Sequence, residues 1–146
     1  MAEKKNRKIL IIALKYMGDL LVAAPSIHAL RRHLPDSHLT VLIRKGLEEI
    51  FTHDSAVDEV LAFDYPFVRS LKGFRRLKIE YDWVRGIRRR YFDTAISLQP
   101  GDRFAWWAWF SGARTRIGPR KQPFGYLFNI RVDVEEDRID YQNYYG

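Results

Sequence analysis

The 146-residue chain has no cysteine, two methionines, and no apolar run long enough to cross a bilayer. Without cysteine it forms no disulfide and offers no thiolate to a metal, and nothing points to an oxidising compartment. The apolar stretch Ile9 to Leu14, which follows a basic N-terminus, is too short for a signal peptide's apolar segment or a membrane span. A cytoplasmic setting is expected, with any membrane association peripheral.

Several motifs are also missing. No G-x-G-x-x-G follows the first predicted strand and no G-x-x-x-x-G-K-[ST] occurs, which argues against an NAD enzyme or a P-loop ATPase. The four histidines, His28, His33, His38 and His53, lack H-E-x-x-H or comparable spacing, so neither a metal site nor a cofactor is expected. Internal repeats, low-complexity tracts and interdomain linkers are absent as well. With 47% hydrophobic residues, residues 1–146 are expected to form one domain around one core.

What the chain has in excess is positive charge: 25 Lys and Arg against 18 Asp and Glu, a net charge of +7. That balance favours anionic partners such as phosphorylated sugars, acidic lipid headgroups or nucleic acid. Nucleic acid is not expected, because no recognised motif accompanies the charge. The densest basic stretch, Arg69 to Arg90, has nine basic residues against Glu80 and Asp82. Arg88 to Arg90 read as a solvated helix end, and Arg69, Arg75 and Arg76 as anion-binding candidates on a flexible loop.

The apolar pattern alternates strand and helix. Lys8 to Leu14, rich in β-branched residues, reads as a parallel strand covered on both faces. Asp19 to Leu34 has helical spacing, with Pro25 predicting either a kink or a later helix start. Strands are expected at His38 to Ile43, Glu59 to Phe63, Thr94 to Leu98, Thr115 to Ile117 and Asn129 to Val134. Helices are expected at Gly46 to Phe51, Tyr81 to Arg90 and Arg103 to Phe110, with Asp64 to Lys78 as a loop. Trp106, Trp107 and Trp109 cannot share one helix face, so at least one should reach a rim. Asp140 to Tyr145 reads as the start of a further helix, which suggests a fragment. The alternation implies an α/β, Rossmann-like, mostly parallel sheet with helices on both faces.

Ligands of open α/β sheets gather beyond the carboxyl ends of the strands. That rule puts Lys15-Tyr16-Met17-Gly18-Asp19 and Gln99-Pro100-Gly101-Asp102, followed by Arg103, on one functional edge. Gly18 allows a tight turn and close backbone approach, and Asp19 at a helix start serves either as a cap or as a base. Local chemistry alone favours the cap.

Four segments in order, KILIIALKYMGDLLVAAPSIHALRRHLPDSHLTVLI, VDEVLAFD, YFDTAISLQPGDR and SGARTRIG, resemble the bacterial lipopolysaccharide heptosyltransferases of glycosyltransferase family nine. The chain departs from many relatives at Ala23-Ala24, where they have hydroxyl residues, and at Ser97, where they have an acidic one. The resemblance implies the N-terminal half of a two-domain GT-B enzyme, so a C-terminal donor-binding domain is absent here and this chain alone is expected to be inactive. It implies ADP-heptose as donor, held mainly by that other domain, and a lipopolysaccharide inner-core or lipid A acceptor at the cytoplasmic face of the inner membrane. By the same resemblance Asp19 corresponds to the general base of an inverting, metal-free transfer. Lys15, Gly18, Arg69, Arg75, Arg76, Gln99, Asp102 and Arg103 are the acceptor-side candidates. The alternative is a non-catalytic basic module that binds anionic glycolipid or membrane, which a reading frame ending at Gly146 would favour.

Overall fold

The structure, a computed structural model, describes residues 6–13 and 16–133. Lys15 and the helix expected at Asp140 to Tyr145 lie outside these residues. Six strands form a single parallel sheet: β1 (Lys8–Ile12), β2 (His38–Arg44), β3 (Glu59–Phe63), β4 (Thr94–Ser97), β5 (Thr115–Pro119) and β6 (Ile130–Val132). Their order is β3-β2-β1-β4-β5-β6, the doubly wound order of Rossmann-type sheets. The chain reverses its direction of winding between β1, which pairs Ile9 with Leu39, and β4, where Ile9 sits opposite Thr94. This switch point is where such sheets open a crevice at their carboxyl edge.

Both faces of the sheet are buried because successive residues of β1 point to opposite sides. Ile9 and Ile11 join Leu20 and Ile27 of α1 (Met17–His33) and Phe51 of the short α2 (Glu49–Thr52). Leu10 and Ile12 join the other core, with Val68 of α3 (Tyr65–Ser70), Ile87 of α4 (Gly73–Arg88), and Phe104, Trp107 and Ala108 of α5 (Asp102–Phe110). Trp107 meets Phe63 edge-on at 4.9 Å, whereas Trp109 on the other side of α5 is 44% exposed, so the three tryptophans do split between core and rim.

Three local expectations need correction. The helix α1 continues through Pro25 and begins at Met17, before Asp19, so the proline does not mark a later start. The proline removes the hydrogen bond to the Leu21 carbonyl, and Leu21 is 59% exposed, so water reaches that position. The expected loop Asp64 to Lys78 is two helices. Asp64 caps α3 by accepting from the Phe67 N–H at 3.2 Å, with Pro66 in the first turn. Arg69 therefore lies on α3, and Arg75 and Arg76 on α4, none of them on a flexible loop. Finally, Arg90 is no solvated helix end: it donates to Glu59 at 2.9 and 3.1 Å, tying the end of α4 to β3.

Two neighbouring carboxylates anchor the start of β3. Burial opposes the charge on Asp58, but the Leu39 N–H at 2.7 Å and the Arg31 guanidinium outweigh it and hold Asp58 below the usual carboxylate range. Burial likewise opposes the charge on Glu59, and Arg90, the Thr40 hydroxyl at 3.3 Å and His38 outweigh it there. With both folded values depressed, their stabilisation is fully present above about pH 4 and is lost as pH falls through the folded values. Denaturant titrations at stepped pH should show stability falling below about pH 4. Asp58→Asn should be less stable at neutral pH and fall less steeply in acid. An acid slope unchanged by the substitution would refute this assignment.

Candidate functional site

Among the described residues, two clefts open at the carboxyl edge. The smaller, about 290 Å³, is lined by Ala13 after β1, by Asp19, Val22, Ala23 and Ser26 along α1, and by Leu98 and Gln99 after β4. Asp19 and Gln99, far apart in sequence, meet here because β1 and β4 are parallel neighbours. The cap of α1 is Tyr16 with extended backbone and no side-chain capping bond, and Asp19 sits in the first turn. Asp19 is exposed and has no hydrogen-bond or ion-pair partner among the described residues. A side chain that neither caps nor pairs does nothing visible for the fold.

Gly18 also sits in that first turn, with an ordinary helical φ and open space where a Cβ would stand. The tight turn expected there is not made, and Gly18 lines neither cleft. Gly18→Ala should leave thermal stability unchanged or raise it by up to about 1 kcal/mol, through helix propensity. A fall in Tm would contradict this placement.

The larger cleft, about 440 Å³, is lined by Tyr16, Arg44 at the end of β2, Tyr65 and Arg69 of α3, and Gly101 to Phe104 at the start of α5. Its walls thus carry three arginines against one aspartate, Asp102. Arg103 is held in place: it pairs with Glu80 at 3.2 Å and its guanidinium lies 4.9 Å from the Tyr65 ring centre. Arg44 and Arg69 have no carboxylate partner among the described residues. Unpaired guanidinium groups beside a helix N-terminus form an environment suited to a phosphate or carboxylate. The N-cap Gly101 is held by the side chain of Gln122, whose Oε1 accepts from the Gly101 N–H at 2.7 Å, and a Cβ at Gly101 would come within 2.9 Å of the Phe104 ring.

The predicted residues therefore divide. Asp19 and Gln99 share the smaller cleft, and Arg69, Asp102 and Arg103 share the larger. Arg75 lines neither, and Arg76 is bound to Glu80 at 3.2 Å one helical turn away. Sequence reasoning missed Arg44 and Tyr65, and it placed Tyr16 on the functional edge without giving it a role of its own. The available signal for Arg44 was a lone charge at the carboxyl end of the apolar run HLTVLIR.

The segment Ser111 to Gly118 is structural. The Ser111 hydroxyl donates to the Ala108 carbonyl at 2.6 Å and accepts from the Ala113 N–H at 3.2 Å, while Gly112, with φ of +76°, ends α5. Arg116 donates to the carbonyls of Leu127 and Ala113, fixing the chain between β5 and β6.

No known family profile and no curated protein matches this sequence. Solved structures do match. One is a glycosyl transferase family 9 protein from Veillonella parvula DSM 2008, at 22% identity and a TM-score of 0.75, covering 89% of this chain and 37% of that one. The E. coli heptosyltransferase WaaC with ADP-2-deoxy-2-fluoro heptose matches at 15% identity and a TM-score of 0.77, covering 92% and 45%. The E. coli ADP-heptose lps heptosyltransferase II matches at 21% identity and a TM-score of 0.69, covering 88% and 36%. The chain spans less than half the length of these proteins. What it shares with them is the Rossmann-like α/β fold of one part of a GT-B glycosyltransferase.

Proposed function

We propose that this chain is the acceptor-side half of an inverting heptosyltransferase, which transfers heptose from ADP-heptose to the lipopolysaccharide inner core. The observation that carries the reading is the unpartnered Asp19 carboxylate at the switch-point edge, next to a cleft lined by the unpaired Arg44 and Arg69. Asp19 takes the proton from the acceptor hydroxyl as its oxygen attacks the anomeric carbon, and ADP leaves from the opposite face. Arg44 and Arg69 bind acceptor phosphate or carboxylate and so hold the hydroxyl in line. The donor binds mainly to a second domain, and the lipid acceptor brings the protein to the inner-membrane surface from the cytoplasmic side. The fold likeness and the sequence resemblance support this reading together.

The test is steady-state transfer from ADP-heptose by the full-length protein that contains this chain. Asp19→Asn should lower kcat, and Arg44→Gln should mainly raise KM for the acceptor. Absence of heptose transfer by a folded full-length wild type would end the proposal.

A further inference from the structure

We propose that the outer face of α4 docks on an anionic lipid bilayer. Along α4, at 100° per residue, Phe74, Lys78, Tyr81 and Arg85 fall within about 60° of one another, directly opposite Trp83 and Ile87. Ile87 is buried and Trp83 packs on the core, so this stripe is the helix's outermost line. The outermost line of a surface helix is ordinarily its most polar. Here Phe74 is 80% exposed and Tyr81 63%, with Leu77 at the edge of the stripe 66% exposed.

The charges beside this stripe say what covers it. Lys78, Arg85 and Arg88 are exposed and have no carboxylate partner among the described residues, and Asp82 at the edge is the one acid nearby. Two copies of this face would repel each other, whereas a surface of lipid phosphates would draw the cations in and take the three apolar side chains among its headgroups. No helix among the described residues is long and apolar enough to cross a membrane, so the contact is peripheral. The preceding helix α3 supplies Tyr65 and Arg69 to the larger cleft, so docking brings that cleft close to lipid headgroups. The docking stands independently of the catalytic reading.

The experiment is vesicle co-sedimentation of the 146-residue chain at physiological salt. Vesicles of phosphatidylcholine alone are compared with vesicles containing about one-third phosphatidylglycerol. Wild type should partition onto the anionic vesicles and not onto phosphatidylcholine. Replacing Phe74, Leu77 and Tyr81 together with serine should weaken partitioning about tenfold or more. Reversing Lys78, Arg85 and Arg88 to glutamate should weaken it about a hundredfold. All six side chains are exposed, and circular dichroism should show the variants folded. Because the chain has no cysteine, Leu77→Cys takes a single environment-sensitive dye. Its emission should shift to the blue on anionic vesicles, while the same dye at His53→Cys, just after α2, should not respond. Equal binding by wild type and the serine variant would overturn the proposal. So would a dye response at both positions, or wild-type self-association abolished by the serine variant with no lipid binding. Neither set of substitutions touches Asp19 or Arg44, so the catalytic reading and the docking proposal fail separately.

Discussion

Asp19→Asn is expected to lower heptose transfer by the full-length protein by about 10² to 10⁴-fold, the usual contribution of a positioned general base. The substitution keeps the shape of the side chain and removes its ability to accept a proton. It should leave the fold alone: Asp19 is exposed, is not the cap of α1, and pairs with no other described residue. Its Tm should therefore stay within the small range typical of surface changes. Acceptor KM should also stay near wild type, because Arg44, Arg69 and Arg103 line a different cleft. Loss of turnover with Tm and KM preserved is the signature of a group that acts only in the transition state. Near-normal kcat would remove Asp19 from the chemistry. A lower kcat with a matching fall in Tm would make it a structural residue after all.

Gly118→Ala is the substitution expected to damage the fold most for its size. Gly118 lies buried on β5, and a Cβ there would stand 2.5 to 2.6 Å from three atoms of the Phe128 ring, which is itself fully buried. The end of the ring occupies the space a side chain would need, and its neighbours leave it nowhere to go, because the core around it is closely packed. Overpacking of this kind costs about 3 kcal/mol, which lowers Tm by roughly 10 °C in a domain of this length. The cause is checked by a double-mutant cycle. In a Phe128→Leu background the added methyl has room, so Gly118→Ala should cost much less there. Equal cost in both backgrounds would show that the ring is not what excludes the side chain.

These two residues and their neighbours show how unevenly structure can be read from sequence. The strands Lys8–Ile12 and His38–Arg44 are legible because both faces of the sheet are covered and most of their residues are apolar. The first two turns of α4 are not legible. Two inward positions there are Arg76 and Glu80, which pair with each other and with Arg103, while Phe74 and Leu77 point outward. Inward polar and outward apolar residues erase the 3.6-residue period on which helix recognition rests. The helix α3 did carry a signal, Asp64 followed by Pro66, but it is only six residues long. The motif Ser111 to Gly118 was legible as a resemblance, while its physical purpose, closing α5 and seating Phe128, depends on contacts with residues distant in sequence, such as Asn129, whose side chain accepts from the Arg116 N–H and donates to the Arg114 carbonyl.

By itself the amino-acid sequence determined the α/β class and the parallel sheet, which follow from local pattern: which runs are apolar and which period they keep. Local pattern alone made Asp19 a helix cap, and only the family resemblance made it a candidate base. The tertiary structure alone decided that Asp19 is free of any capping duty and that it lines one cleft with Gln99. It also separated Arg75 and Arg76 from Arg69, and brought Arg44 and Tyr65 into the larger cleft. Those are consequences of strand order. Only when β1 settles between β2 and β4 do the ends of three distant segments meet at one edge, and no local period records which strands will be neighbours.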